Sequence, residues 1–74
     1  MPFRFDKLRI LLRVRNMTAR DLCQKTHISG ATMAKIWKGQ SVRLETLGRI
    51  CEALSVRLDD IVEYQLDHPS EDIR

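Results

Sequence analysis

Residues 17–39 read MTARDLCQKTHISGATMAKIWKG, and this stretch has the pattern of two short helices separated by a turn. Thr18 and Asp21 have the spacing of a capping box, and Ser29 is a second favourable N-cap residue. Gly39 can take the left-handed conformation that commonly ends a helix. The stretch therefore predicts a compact bihelical unit, with helices at about 19–26 and 30–38.

Pairs of apolar residues five positions apart predict where other helices start, because such a pair can pack across the first turn as a hydrophobic staple. The pairs along the chain are Phe5–Ile10, Met17–Leu22, Ile28–Met33, Val42–Leu47 and Val56–Ile61. The N-caps that they imply are Asp6, Thr18, Ser29, Arg43 and Arg57, and the two arginines are poor capping residues. The prediction is five helices, at about 6–15, 19–26, 30–38, 44–54 and 58–64.

Three of these helices are followed by a residue other than glycine at the position where glycine is usual, namely Asn16, His27 and Ser55. Asparagine tolerates the left-handed conformation well, and serine tolerates it poorly. The two ends of the domain alternate in polarity, at residues 3–5 and 62–66. Either end could form a short strand, and the two could pair within one subunit or between subunits.

The length and the charge distribution indicate a single domain with a polyanionic partner. A chain of 74 residues has room for one domain. Residues 1–43 carry ten Lys/Arg against two acids (+8) and residues 44–74 carry three against eight (−5), which together give the net charge of +3. We expect one domain over 1–66, an acidic flexible tail over 67–74, and a basic face that suits a polyanion.

Several classes of protein are not expected. No uncharged stretch approaches the roughly 18 apolar residues of a membrane-spanning helix, and the start MPFRFDKLR lacks the apolar segment of a signal peptide. Cys23 and Cys51 are too few for a secreted disulfide framework, so we expect reduced, packed thiols and a cytoplasmic location. With no metal-ligand spacing and no nucleophile–base arrangement, we expect no metal, no cofactor and no enzymatic activity.

The stretch 17–39 resembles the helix-turn-helix of Cro/CI-type (Xre-like) regulators. The segments LETL at 44–47 and LDDI at 58–61 resemble the starts of that family's fourth and fifth helices, so the resemblance covers roughly residues 6–64. It implies an all-α, compact five-helix, lambda-repressor-like domain. A domain of this family is expected to bind duplex DNA, usually as a homodimer, and to regulate transcription.

The resemblance also implies which residues meet DNA, because the second helix of this motif enters the major groove. Gly30, Ala31 and Lys35 match base-facing positions, flanked by Ser29 and Thr32. Since Gly30 has no side chain and Ala31 offers only a methyl group, we expect weak direct readout and some reliance on DNA shape. Phosphate contacts are expected at the caps, helix ends and following loop, from Thr18, Arg20, Ser29, Lys38, Gln40 and Arg43.

Other residues receive structural roles. Trp37 is expected to pack in the core beside Met33 and Ile36, while Arg9 and Arg13 are expected to form a solvated face of the first helix.

Three functions remain open. The leading one is a small repressor that binds a pseudo-palindromic site. A variant is an antitoxin that binds a toxin or another protein through its acidic C-terminal half. The rival is a protein-interaction module. Gly30 and Ala31 favour it because they offer few groups that could read bases, and the net charge of +8 on residues 1–43 argues against it.

Overall fold

The computed structural model of the chain describes residues 3–66. Its helices are α1 (Asp6–Val14), α2 (Ala19–Thr26), α3 (Gly30–Trp37) and α4 (Leu44–Leu54). A 3₁₀ turn at Leu58–Asp60 follows α4, and the short strands β1 (Phe3–Arg4) and β2 (Glu63–Tyr64) form an antiparallel pair. The tail predicted at 67–74 lies outside the described residues.

A single apolar core joins all four helices and the segment that follows α4. Its buried side chains are Phe5, Leu8, Leu12, Leu22, Ile28, Met33, Ile36, Leu47, Ile50, Leu54 and Ile61. Cys23 and Cys51 are free thiols that pack against this core, half-buried, as predicted. Burial raises the pKa of the Cys51 thiol, and the nearby charge of Asp60 adds to the effect.

The starts of α2 and α3 are capped as the sequence predicts. The Thr18 hydroxyl oxygen accepts a hydrogen bond from the backbone N–H of Asp21 at 3.0 Å, and Thr18 N–H donates to the Asp21 carboxylate at 3.0 Å. The Ser29 hydroxyl oxygen accepts a hydrogen bond from the Thr32 N–H at 3.1 Å. All three bonds satisfy backbone donors at the start of a helix, which has no intrahelical partners for them.

The start of α1 differs from the prediction. The N-cap is Phe5, which has no side-chain capping bond, whereas Asp6 is the first helical residue and pairs with Arg4 at 2.7 Å. The predicted staple between Phe5 and Ile10 is wrong, because Ile10 is 61% exposed. Phe5 is buried in the core instead.

All four predicted left-handed positions are confirmed. The φ angles are 59° at Asn16, 61° at His27, 73° at Gly39 and 56° at Ser55. Asn16 and Gly39 follow the last residues of α1 and α3 by two positions, and His27 and Ser55 follow α2 and α4 directly. The chain therefore reverses at these positions even though only Gly39 lacks a side chain.

The predicted fifth helix at 58–64 is wrong, and the described residues hold four α-helices and a two-stranded sheet. Arg57 N–H does donate to the Asp60 carboxylate at 2.9 Å, but the turn that follows is 3₁₀ and short. Glu63 and Tyr64 pair with Arg4 and Phe3, and the Phe3 and Tyr64 rings meet edge-to-face with centroids 5.0 Å apart. The strands pair within one subunit, so the backbone of β2 finds its partners in a strand 60 residues earlier.

Lys7 in α1 and Arg15, the residue directly after it, fix this helix to the C-terminal half of the domain. The ammonium group of Lys7 donates to the carbonyl of Asp59 at 3.1 Å, and the guanidinium of Arg15 donates to the carbonyl of Leu54.

Within residues 3–66, none of the helices has the length and apolar character needed to cross a membrane.

Candidate nucleic-acid interface

The helices α2 and α3 form the bihelical unit that the sequence predicts. Its inner side is closed by the buried side chains of Leu22, Ile28, Met33 and Ile36. On the outer side of α3, Gly30, Ala31 and Lys35 are all exposed. A Cβ atom added at Gly30 would meet nothing within 4 Å, so packing does not explain the glycine and this surface is open to a ligand.

The N-terminus of α3 has the hydrogen-bonding and charge properties of an anion-binding surface. The Ser29 hydroxyl donates to the Thr32 hydroxyl oxygen at 3.0 Å, which leaves the hydrogen of the Thr32 hydroxyl able to donate outward. No acidic residue lies in the first turn of α3, so the positive end of the helix dipole is not compensated by the chain itself.

The N-terminus of α2 is different, because Asp21 already places a carboxylate there. Hydrogen bonds from Thr18, chiefly from its backbone N–H and then from its side chain, hold the pKa of Asp21 below its usual value. The carboxylate therefore stays ionised at the positive end of α2. The start of α2 is therefore less favourable for an external anion than the start of α3.

A groove of about 700 Å³ separates α3 from the start of α4, and we call it the α3–α4 groove. It brings together three of the residues predicted to contact DNA, Thr32, Lys35 and Arg43. The other lining residues are Ser41, Val42, Glu45, Thr46 and Arg49. Three cations face one acid in this groove, so its surroundings are positively charged.

Sequence reasoning missed Arg49, which is exposed on α4 and lines the α3–α4 groove. It belongs to residues 44–74, whose net charge of −5 gave no reason to expect a cation beside α3. In the structure Glu45, Thr46 and Arg49 share the groove with α3, so part of this acidic half lies beside that helix. The useful signal is the i, i+4 spacing of Glu45 and Arg49, which places both on the same side of α4.

The remaining predicted contacts are spread around the motif. Thr18 lines a second concavity of about 420 Å³, and Lys38 lines a third of about 300 Å³. The other predicted residues are exposed on or near α2 and α3 without lining any of these three concavities: Arg20, Ser29, Gly30, Ala31 and Gln40.

Trp37 packs against the core and is half-buried, as predicted, but it has a contact that the sequence did not suggest. The guanidinium carbon of Arg9 lies 4.4 Å from the centroid of the Trp37 ring. Arg9 and Trp37 together line both the second and the third concavity.

Over residues 3–66, no cluster of three or more His, Cys, Asp or Glu side chains could hold a metal ion.

Comparison with known proteins agrees with this arrangement. Residues 7–67 match the family model of the Cro/C1-type HTH DNA-binding domain. The chain is 35% identical over 60 residues to YozG of Bacillus subtilis (strain 168), an uncharacterised HTH-type transcriptional regulator, with 78% of this chain and 71% of YozG covered. The crystal structure of the transcriptional regulator VanUg is similar with a TM-score of 0.81 and 35% identity, over 84% of this chain and 83% of that one. The chain therefore belongs to the Cro/C1-type helix-turn-helix family, whose members are DNA-binding transcriptional regulators and not enzymes.

Proposed function

We propose that this chain is a transcriptional repressor that binds duplex DNA with α3 in the major groove. The observation that carries the proposal is the α3–α4 groove, where Lys35, Arg43 and Arg49 surround the exposed outer side of α3. An α-helix with its side chains is about 10–12 Å in diameter, which matches a major groove about 12 Å wide.

Base readout in this proposal is carried by one turn of α3. Lys35 reaches the O6 and N7 acceptors of guanine, and Ala31 contacts a thymine methyl group. The Thr32 hydroxyl donates to a base or a phosphate, since its oxygen already accepts from Ser29. Gly30 lets the helix backbone approach the DNA closely. With so few base contacts, DNA shape supplies part of the sequence preference.

Phosphate contacts supply most of the affinity. They come from Ser29 at the uncompensated end of α3 and from exposed residues around it, namely Thr18, Arg20, Lys38, Gln40, Arg43 and Arg49. Such contacts fix the register of the protein on DNA without reading sequence, and they make binding sensitive to salt.

The functional unit in this proposal is a cytoplasmic homodimer, with residues 1–66 forming the DNA-binding domain and the acidic segment 67–74 following it in the sequence. Two copies would bind half-sites about one helical turn apart, and the bound dimer would block polymerase. Large apolar side chains that one copy leaves exposed support an association, including Val14 at 76% and Leu44 at 74% exposure. Sedimentation of the purified protein tests the dimer.

Selection of bound sequences from a random DNA pool tests the base-reading role of Lys35. We expect the wild-type protein to enrich a sequence, and Lys35→Ala to change or relax that sequence at one or two positions. The matched control is Lys38→Ala, which removes an equal charge at the end of α3 and should weaken all sequences alike. If both variants weaken all sequences alike, Lys35 does not read bases.

A second candidate function, an antitoxin or protein-interaction module, is favoured by the bare Gly30–Ala31 surface together with exposed acids in the C-terminal half. Glu52, Asp59 and Glu63 are exposed and could bind a basic protein such as a toxin. An interaction module that does not use DNA would enrich no sequence and would fail to bind duplex DNA at low salt.

A further inference from the structure

We propose that Arg9, held on the face of Trp37, is a DNA phosphate contact on α1. This inference rests on the proposed function and adds α1 as a fourth helix of the DNA interface. The sequence placed Arg9 on a solvated face of α1, and the family resemblance assigned it no role.

The Arg9–Trp37 contact fixes the position of the guanidinium. Its carbon lies 4.4 Å from the ring centroid, within the range of about 6 Å in which a cation is attracted to an indole face. Trp37 is itself packed against the core, so the ring is a fixed platform. An arginine stacked in this way loses little further side-chain freedom when it binds a ligand.

The guanidinium has no other partner in the part of the chain that the structure describes. Across residues 3–66, Arg9 makes no side-chain hydrogen bond and no ion pair. Its neighbours differ, since Arg4 pairs with Asp6, Lys7 donates to the Asp59 carbonyl and Arg15 donates to the Leu54 carbonyl. Arg9 is therefore oriented by the chain but keeps its N–H donors for an external acceptor.

The charges around Arg9 favour an anion on both sides of it. The second concavity contains Arg9 and Arg13 and no acidic side chain. The third contains Arg4, Arg9 and Lys38 with one acid, Asp6, whose carboxylate is already paired with Arg4 at 2.7 Å. The charged side chains that line either concavity sum to a positive charge, and a guanidinium binds phosphate oxygens in a bidentate manner.

Position identifies the anion as the DNA backbone. The two concavities that Arg9 lines also contain Thr18 and Lys38, which are both phosphate contacts in the proposed function. Because Arg9 lines both concavities, a strand that reaches both residues also comes close to the guanidinium. A contact of this kind adds affinity and salt dependence equally for all sequences.

The test is the salt dependence of affinity for a random-sequence duplex, measured by fluorescence anisotropy with wild type, Arg9→Gln and Lys7→Gln. We expect Arg9→Gln to weaken binding several-fold and to reduce the slope of log affinity against log salt by about 0.9, the value of one phosphate contact. Lys7→Gln removes the same charge from α1, but its ammonium donates to the Asp59 carbonyl, and we expect it to keep the wild-type slope.

Trp37 gives an independent readout, because it is the only tryptophan of the chain. Binding of DNA beside Arg9 should change Trp37 emission in wild type and in Lys7→Gln, and the change should be much smaller in Arg9→Gln. Urea unfolding of each variant establishes that it is folded. Arg9→Lys keeps the charge and should retain the wild-type slope with part of the affinity.

The outcomes separate this inference from the proposed function. Suppose that wild type binds DNA, and that Arg9→Gln and Lys7→Gln show the same slope of log affinity against log salt and the same change in Trp37 emission. Arg9 then does not contact a phosphate, and the proposed function stands. If wild type does not bind duplex DNA at low salt, the proposed function fails and this inference fails with it.

Discussion

Thr18 and Asp21 satisfy each other's backbone N–H groups, each through a hydrogen bond of 3.0 Å. The equivalent pair at the next helix, Ser29 and Thr32, makes only one such bond and brings no carboxylate. The two helices of the motif therefore differ in charge at their N-termini. The carboxylate of Asp21 balances the positive end of the α2 dipole, whereas the positive end of the α3 dipole is free to bind an external anion.

Loss of the α2 cap should lower stability. Thr18→Ala removes the acceptor for the Asp21 N–H, and we expect the free energy of unfolding to fall by about 1 kcal/mol. The control is Thr46→Ala on α4, where the threonine makes no side-chain hydrogen bond among the described residues and alanine is the better helix former. Urea unfolding followed by circular dichroism measures both, and equal stability of Thr18→Ala and wild type would contradict the capping role.

The capping box should also make stability depend on pH in the acid range. The pKa of Asp21 is lowered in the folded state, so its contribution is fully present above the unfolded value of about 3.9 and is lost as the pH falls through the lower folded value. The Asp21→Asn variant has no carboxyl group at this position and so loses the pH-dependent contribution to stability. The stability difference between wild type and Asp21→Asn should therefore shrink as the pH falls below about 4, and a difference that stays constant from neutral to strongly acid pH would show that Asp21 is not involved.

Ser55 is a site where glycine should stabilise the protein. Its φ of 56° places a side chain in the left-handed region at the end of α4, which costs a residue other than glycine about 1 kcal/mol. Ser55→Gly should raise the midpoint of urea unfolding by an amount equivalent to about 1 kcal/mol. Ser41→Gly is the control, because Ser41 does not have a positive φ, and it should give no gain. If Ser55→Gly instead lowers the free energy of unfolding, the left-handed conformation at Ser55 is not strained.

The segment after α4 should contribute to stability as strongly as the helices do. Ile61 is completely buried although it lies outside any helix. Ile61→Ala should lower the free energy of unfolding by about 2–5 kcal/mol, close to the effect of Ile50→Ala in α4. Leu58→Ala, three residues earlier and 43% exposed, should cost less than about 1 kcal/mol. Similar small losses at Ile61 and Leu58 would contradict the packing of this segment.

Most of the fold could be predicted because the residues that start and end its helices act on their near neighbours in the sequence. Capping residues such as Thr18 and Ser29 and the left-handed position at Gly39 depend on a few neighbouring residues. The fifth helix could not be predicted correctly, since the apolar spacing of Val56 and Ile61 fits a helix and fits the observed turn equally well. Pairing of Tyr64 with Phe3 decides between them, and that pairing joins residues far apart in the sequence.

The candidate site was predictable only in part, for the same reason. Lys35 and Thr32 follow from the helix-turn-helix pattern, and the structure places both in the α3–α4 groove. Arg49 was missed because its half of the chain is acidic on average, although its own position on α4 faces α3. The contact between Arg9 and Trp37 joins α1 to the end of α3, and no local pattern reports it.

Binding of the wild-type protein to duplex DNA at two salt concentrations tests the central claim most directly. The measurement is fluorescence anisotropy of a labelled random-sequence duplex at about 50 mM and about 200 mM salt. With about four or five phosphates neutralised by lysine or arginine in each bound copy, we expect binding at the lower salt and an affinity loss on the order of 10² to 10³-fold per copy at the higher salt. Absence of binding even at the lower salt would contradict the claim that this domain acts on DNA.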